Sequence, residues 1–272
     1  MPLFHYCDSH AFWSIISNRS IWLSDLSASN DSEEGRWMTR LLMSLASKSP
    51  QEHSIWPAIA LQVDAISSKF QTFGFCLSDQ GDMLSQWRGY ADDAAGFSIG
   101  FNEDYFSRMG YMSEHGVAKI EKVLYSSDQH IELIRERLAS LNWKHLAFDL
   151  DTIDAVERAI IESIGGDVSS ASPMSIMLHD VPYLIKNPAF SEERESRLIL
   201  RSDLSNPGTQ FRSRGSAIVA YRPLTLTDIV PQPICKVCIG PKNHTSQALV
   251  EAFLSKHGFS GVEVVKSAAT YR

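Results

Sequence analysis

Phe73-Gly74-Phe75-Cys76-Leu77-Ser78 and, after a polar interval, Gly96-Phe97-Ser98-Ile99-Gly100-Phe101 decide how this chain is read. Each is a short apolar run of strand length bounded by polar or turn-forming residues, the pattern of a buried strand. Between them, Met83, Leu84, Trp87 and Tyr90 recur at the spacing of a short helix. Outward to the N-terminus, Leu3 to Tyr6 is a short apolar segment bearing His5. Ala11, Phe12, Ile15 and Ile16 then predict a helix from Ser9 toward Ile21, with Asp8 or Ser9 as its cap. Ile21 to Ser24 reads as extended, Trp37 to Leu45 as a helix, and Ile55 to Val63 as a strand. Outward to the C-terminus, Asn102 to Met109 is a brief helical turn and Val117 to Tyr125 a strand. From about Asp128 to Lys186 the stripes Ile131, Ile134, Leu138 and Ile153, Val156, Ile160, Ile164 predict a helical block. Strand character returns at Glu195 to Leu200, Ala217 to Tyr221, Ile234 to Ile239 and Val262 to Val265, with an amphipathic helix over Thr245 to His257.

Strands, then a helical block, then strands suit an α+β domain with a mainly antiparallel or mixed sheet better than βαβ alternation. No linker long enough to separate two domains interrupts the pattern. The expectation is one domain over residues 1–272, with 128–186 as a helical insertion or cap.

Composition narrows the function. The 272 residues are 44% hydrophobic and 21% charged, enough for a sizeable core. A net charge of -7 counts against broad binding of duplex nucleic acid, which wants a surplus of Lys and Arg. It leaves room for a small basic pocket holding one nucleotide. Arg194, Arg197, Arg201, Arg212 and Arg214 form the arginine-dense region, and a solvated surface segment is its plainest reading. Of Cys7, Cys76, Cys235 and Cys238 only the last pair is closely spaced, no second pair or nearby His completes a zinc site, and no His-Glu-x-x-His is present, so no metal is expected. All four cysteines read as reduced and mostly buried. No basic segment leads into an apolar run at the start, and no apolar stretch approaches the ~20 residues that span a bilayer. The expected location is the cytoplasm, with no membrane partner.

The polar residues singled out are His5, Tyr6, Ser78, Gln86, Trp87, Arg88, Tyr90, Glu193, Glu195 and Arg197. If Glu193-Arg194-Glu195-Ser196-Arg197 is extended, Glu193, Glu195 and Arg197 share one face, successive members being ~6.6 Å apart. Two carboxylates so spaced can address different parts of one ligand, and the arginine can orient one of them or grip a phosphate. A charged sheet edge is the ordinary alternative. A strand ending at Leu77 delivers Ser78 to the edge of a cleft, and the following helix sets Gln86 and Tyr90 four residues apart on one side. His5, as neutral imidazole, can donate to a ribose hydroxyl; a histidine satisfied by a backbone carbonyl is the alternative. Gly-x-Gly-x-x-Gly, the P-loop and the Gly-x-Ser-x-Gly elbow are all absent from the sequence.

The fragments Leu3-Phe4-His5-Tyr6, Ile21-Trp22-Leu23-Ser24-Asp25-Leu26, Cys76-Leu77-Ser78, Leu84-Ser85-Gln86-Trp87-Arg88-Gly89-Tyr90, Glu193-Arg194-Glu195-Ser196-Arg197-Leu198 and Ile239-Gly240-Pro241, in this order, resemble the bacterial and phage family DUF2971. The layout is in turn similar to that of ADP-ribosyltransferases, which place a His or Arg on a first strand, a Ser or Tyr in a second motif and a Glu in a third. That resemblance implies an ADP-ribosyltransferase-like fold and an NAD-dependent enzyme that cleaves the nicotinamide–ribose bond. ADP-ribose would then pass to an acceptor not named by the sequence: protein, nucleic acid or water. It also implies roles: His5 at the nicotinamide-side ribose or pyrophosphate, Ser78 and Tyr90 walling the nicotinamide pocket, and Glu195 with Glu193 acting at the ribose. Tyr6, Gln86 and Arg197 join the dinucleotide-binding set. The competing expectation is a non-catalytic nucleotide- or partner-binding module, for instance in phage defence. In that case Glu193, Glu195 and Arg197 form an internal salt-bridge network. A nuclease using Asp92-Asp93 is a weaker third reading.

Overall fold

The computed structural model describes residues 1–28, 37–48, 71–113, 116–139 and 178–271, together with 56, 57, 59, 60 and 63. The protein is α+β. Ten strands form one open, mixed and mostly antiparallel sheet.

β1 (Pro2–Cys7) leads into α1 (Ser9–Asn18), whose start is closed by the Asp8 carboxylate accepting the Ala11 N–H at 2.7 Å. Arg19, in the left-handed region at φ 47°, ends the helix by donating its backbone N–H to Ile15 and Ile16. Phe12, Ile15 and Ile16 face the sheet, and β2 (Ser20–Asp25) then turns back into it. α2 (Trp37–Lys48) follows, and then β3 (Gln71–Ser78).

The strand expectation for Ile55 to Val63 is overturned. The described positions Trp56, Ile59, Ala60 and Val63 are helical and buried. Their spacing is that of one helix face, and they pack with Met38 and Leu42 of α2 in a second core apart from the sheet.

The remaining elements are α3 (Leu84–Tyr90), β4 (Phe97–Asn102), α4 (Glu103–Met109), the small pair β5 (Met112–Ser113) and β6 (Gly116–Val117), β7 (Lys119–Lys122) and α5 (Ser127–Ala139). β8 (Glu195–Ser202), β9 (Gln210–Arg214), β10 (Ala217–Thr225), β11 (Ile234–Ile239), α6 (Gln247–Lys256) and β12 (Glu263–Lys266) complete the chain. Of the expected helical block, α5 begins it, and a 3-10 turn over Val181–Tyr183 lies near its end. Residues 140–177 lie outside the described part.

β3 organises the sheet. Along one edge it pairs with β8 over its whole length, from Gln71 opposite Ser202 to Ser78 opposite Glu195. Its other edge is shared. Phe73 and Gly74 pair with Asp25 and Ser24 of β2, whereas Ser78 pairs with Phe4 of β1. The sheet therefore forks at β3. One limb runs β1-β4-β11-β12 and the other β2-β10-β9. β11 and β12 run parallel, the other pairings antiparallel. One face of the sheet is closed by α1, α4 and α6, and the main core there includes Ile16, Leu23, Phe73, Ile99, Phe101, Leu198 and Ile239. Burying each such side chain contributes roughly 1.5–3 kcal/mol. The fork opens on the opposite face.

Candidate functional site

At the fork lies a cavity of about 640 Å³, within the usual range for small-ligand sites. His5 and Tyr6 of β1, Ser78 of β3, Gln86 and Tyr90 of α3, and Glu193, Glu195 and Arg197 all line it. Residues from three distant stretches of chain are thus gathered in one place, and Lys186, Cys76, Arg212 and Arg214 join them.

His5 answers a need created by the fork. Cys76 falls between the two β3 pairings, where neither β1 nor β2 is in register with it. The His5 ring takes its carbonyl instead, Nδ1 to O at 2.9 Å, and stacks on Phe75 with ring centroids 4.1 Å apart. A carbonyl only accepts, so Nδ1 carries the proton and Nε2 keeps its lone pair. Burial pulls the imidazole pKa down to about 4, against the Cys76 bond that raises it. The ring is neutral near pH 7 and offers a ligand an acceptor at Nε2, where the sequence reading expected a donor.

Tyr6 and Ser78 are committed to the frame of the site. The Tyr6 hydroxyl donates to the Gln80 carbonyl at 2.8 Å and accepts the Met83 N–H at 2.9 Å, which fixes the loop entering α3. Burial raises its pKa well above the usual phenol range. Ser78 donates to the Glu193 carbonyl at 2.8 Å and accepts the Gln80 N–H at 3.2 Å. α3 is held further by Asp82, which accepts from the Trp87 indole at 2.7 Å and from Ser267 and the Ala268 N–H of the C-terminal segment. Trp87 is core, fully buried against Tyr6 at 4.9 Å. Arg88 lies over the Tyr271 ring, outside the cavity.

That frame presents Gln86 and Tyr90. Gln86 is 7% exposed, and its amide has no hydrogen-bond partner among the described residues. An unpaired amide on a cavity wall is available to a ligand. Tyr90 donates to one Glu193 oxygen at 2.7 Å.

The acidic end differs from the extended arrangement read from the sequence. Glu195 and Arg197 do share a face of β8. Glu193 lies before the strand, at the end of a 3-10 turn over Pro188–Glu193, and Arg194 separates them in the left-handed region at φ 45°. The carboxylate still reaches the site because Lys186 bridges it to Glu195, at 2.8 Å and 3.0 Å. Arg197 grips Glu195 with two bonds, Nε at 2.6 Å and a terminal nitrogen at 2.9 Å, and spends its remaining nitrogen on the Tyr183 carbonyl at 2.8 Å. Burial opposes ionisation of Glu195, but the Arg197 charge and hydrogen bonds, Lys186 and the Cys76 thiol together hold its pKa at about 2. Burial likewise works against the Lys186 charge, and Glu195 and Glu193 overcome it to raise its pKa. Two cations and two carboxylates therefore balance, with Glu195 and Arg197 saturated and Glu193 nearer the open space.

Sequence reasoning gave no site role to three lining residues, Lys186, Cys76 and Arg212. Lys186 is an 8%-exposed lysine after the apolar Tyr183-Leu184-Ile185, an unusual setting that was its signal. Cys76, expected to be buried, faces the cavity, as does Arg212; Cys7 and Cys238 are buried as expected. A smaller hollow of about 290 Å³ lies against the wall made by Gln86, Tyr90, Phe190 and Glu193. Among the described residues, no helix is long and apolar enough to cross a membrane.

Residues 86–198 match the model of a family described as protein of unknown function, DUF2971. The matched interval takes in Gln86, Tyr90, Lys186, Glu193, Glu195 and Arg197. No curated protein and no solved structure gave a match.

Proposed function

We propose that this DUF2971 protein is a cytoplasmic, ADP-ribosyltransferase-like enzyme that binds NAD in the forked cavity and cleaves its nicotinamide–ribose bond. The observation that carries the reading is the convergence of His5, Ser78, Gln86, Tyr90 and Glu193 on one cavity of about 640 Å³, a size suited to a nucleotide. The unpaired Gln86 amide suits a carboxamide such as that of nicotinamide. Nε2 of His5 can accept from a ribose hydroxyl.

Breaking the glycosidic bond sends its electron pair to the nicotinamide ring and leaves cationic character at the ribose carbon. A fixed carboxylate beside that carbon stabilises the transition state more than the ground state. In this proposal Glu193 supplies it, held by Tyr90 and Lys186, while Glu195 and Arg197 position Lys186. The acceptor then bonds to the ribose carbon and loses its proton to solvent.

Incubation with NAD, following nicotinamide release, tests the reading. Glu193→Gln is expected to lower release at least 100-fold with NAD binding largely retained. Absence of release from the unaltered protein, or equal release from the variant, overturns it. The saturation of Glu195 and Arg197 favours a second reading, a nucleotide-binding module without catalysis, for instance in phage defence. NAD bound and left intact is its signature.

A further inference from the structure

The cavity is lined by four cations, Lys186, Arg197, Arg212 and Arg214, and four carboxylates, Asp8, Asp25, Glu193 and Glu195, so what differs along it is where charge is placed and not the net sum. Lys186 and Arg197 are matched by Glu193 and Glu195. Two further lining carboxylates are occupied by the chain itself: Asp8 caps α1 through the Ala11 N–H, and Asp25 accepts the Ser27 N–H at 2.9 Å and hydroxyl at 2.8 Å. Arg212, on the edge strand β9, makes no ion pair among the described residues. Its guanidinium donates to the Ser24 hydroxyl at 2.9 Å and lies over the Trp22 ring, 5.4 Å from its centre. Its Nε is buried with no hydrogen-bond partner among the described residues, and after burial the larger influence on its charge is Arg214, of like sign, ahead of Tyr221. Register places the two together: Arg212 and Arg214 stand opposite Val219 and Ala217 of β10, on the sheet face that carries Tyr221 and Ser24.

A cation backed by an indole ring, oriented by a serine, beside a second arginine and in no ion pair among the described residues, is suited to receive an anion. Its place in the fork sets the anion's distance from the acidic end. Ser24 is in register with Gly74, and Cys76, whose thiol bonds Glu195, lies two residues farther along β3. Strand spacing and rise put Ser24 and Cys76 roughly 8 Å apart. One end of the cavity would thus hold an anion while the other addresses a sugar.

We propose that Arg212, with Arg214, forms a phosphate subsite that binds the phosphate groups of a nucleotide whose sugar reaches toward Glu193. This rests on the nucleotide reading of the cavity, but not on cleavage of the ligand. The phosphates of a free nucleotide and of a nucleic-acid strand share the chemistry, and separate arms of the test tell them apart.

The full chain is titrated calorimetrically with ADP, adenosine and a single-stranded trinucleotide, at low and high salt, alongside Arg212→Gln and Arg214→Gln. ADP is expected to bind at least 10-fold more tightly than adenosine. That advantage should fall with salt and be lost in Arg212→Gln, adenosine binding being unchanged. Arg212-dependent binding of the trinucleotide in preference to ADP supports the subsite and identifies a strand as the source. Equal ADP affinity in Arg212→Gln and the unaltered protein, or ADP binding no tighter than adenosine, overturns the subsite. If Arg212→Gln melts early, the same comparison is made with Arg214→Gln. Nicotinamide release at saturating NAD separates the two proposals. Release that persists in Arg212→Gln with unaltered ADP affinity removes the subsite alone, and binding of none of these ligands, NAD included, removes both.

Discussion

Glu195→Gln keeps the shape of the side chain and removes its charge. In the native protein both oxygens are taken, one by Arg197 Nε and the other by Arg197 and Lys186 together. The variant leaves a guanidinium that is 1% exposed without its counter-ion. Breaking a buried pair by removing one member costs about 3–5 kcal/mol. The acid side gives an independent figure. The fall of the Glu195 pKa from 4.5 to about 2 is worth ~3 kcal/mol of stability at neutral pH. The two agree, so urea denaturation should show the midpoint lowered by roughly 1 M, at a slope of about 3 kcal/mol/M. The sign with pH follows from the depressed pKa. The stabilisation is complete above about 4.5 and is lost as pH falls through about 2, so the gap between the two proteins should close over that window. A loss below ~1 kcal/mol, the worth of an exposed pair, would refute the account of Glu195 as a buried, saturated carboxylate.

The other predictions concern the frame of the cavity. His5→Ala, which orphans the Cys76 carbonyl, should cost ~1–3 kcal/mol in denaturant titrations. Because the His5 pKa is lowered from 6.5 to about 4, the unfolded chain binds the extra proton first, and stability should fall on acidification between those values. The variant should lack that part of the acid profile. Asp82→Ala frees the Trp87 indole, Ser267 and the Ala268 N–H at once, and calorimetry should record a loss of ~1–3 kcal/mol. Gly96→Ala would set a Cβ 2.1 Å from the Cys7 carbonyl oxygen. With backbone on the other side of the contact, the cost should reach about 1–3 kcal/mol, and an unchanged melting temperature would contradict that geometry.

How far the fold could be read depended on whether burial left a mark in the pattern. β4 is buried on both faces and β3 along most of its length apart from Cys76, so Phe73, Phe75, Leu77 and Phe97, Ile99, Phe101 stood out as strands. α1 and α6 announced themselves through a polar cap and a one-sided apolar stripe. β9 did not, because Gln210-Phe211-Arg212-Ser213-Arg214 forms an edge with little burial on either face. The segment at Trp56 was misread on composition, although positions 56, 59, 60 and 63 already carried helical spacing. For the site, residue types were legible and their states were not. Nothing local reports that Arg194 turns left-handed and takes Glu193 off the strand, or that Lys186 arrives between two carboxylates. The neutral state of His5 follows from a fork made by residues some seventy positions away.

The division of β3 between two neighbours leaves the middle of that strand leaning on a single imidazole where a ladder would otherwise run. A molecule seated there touches both limbs and so acts as a wedge that also braces them. Occupancy should slow amide exchange in β1 and β2 together, far beyond the atoms in contact, and raise the melting temperature in proportion to the logarithm of ligand concentration.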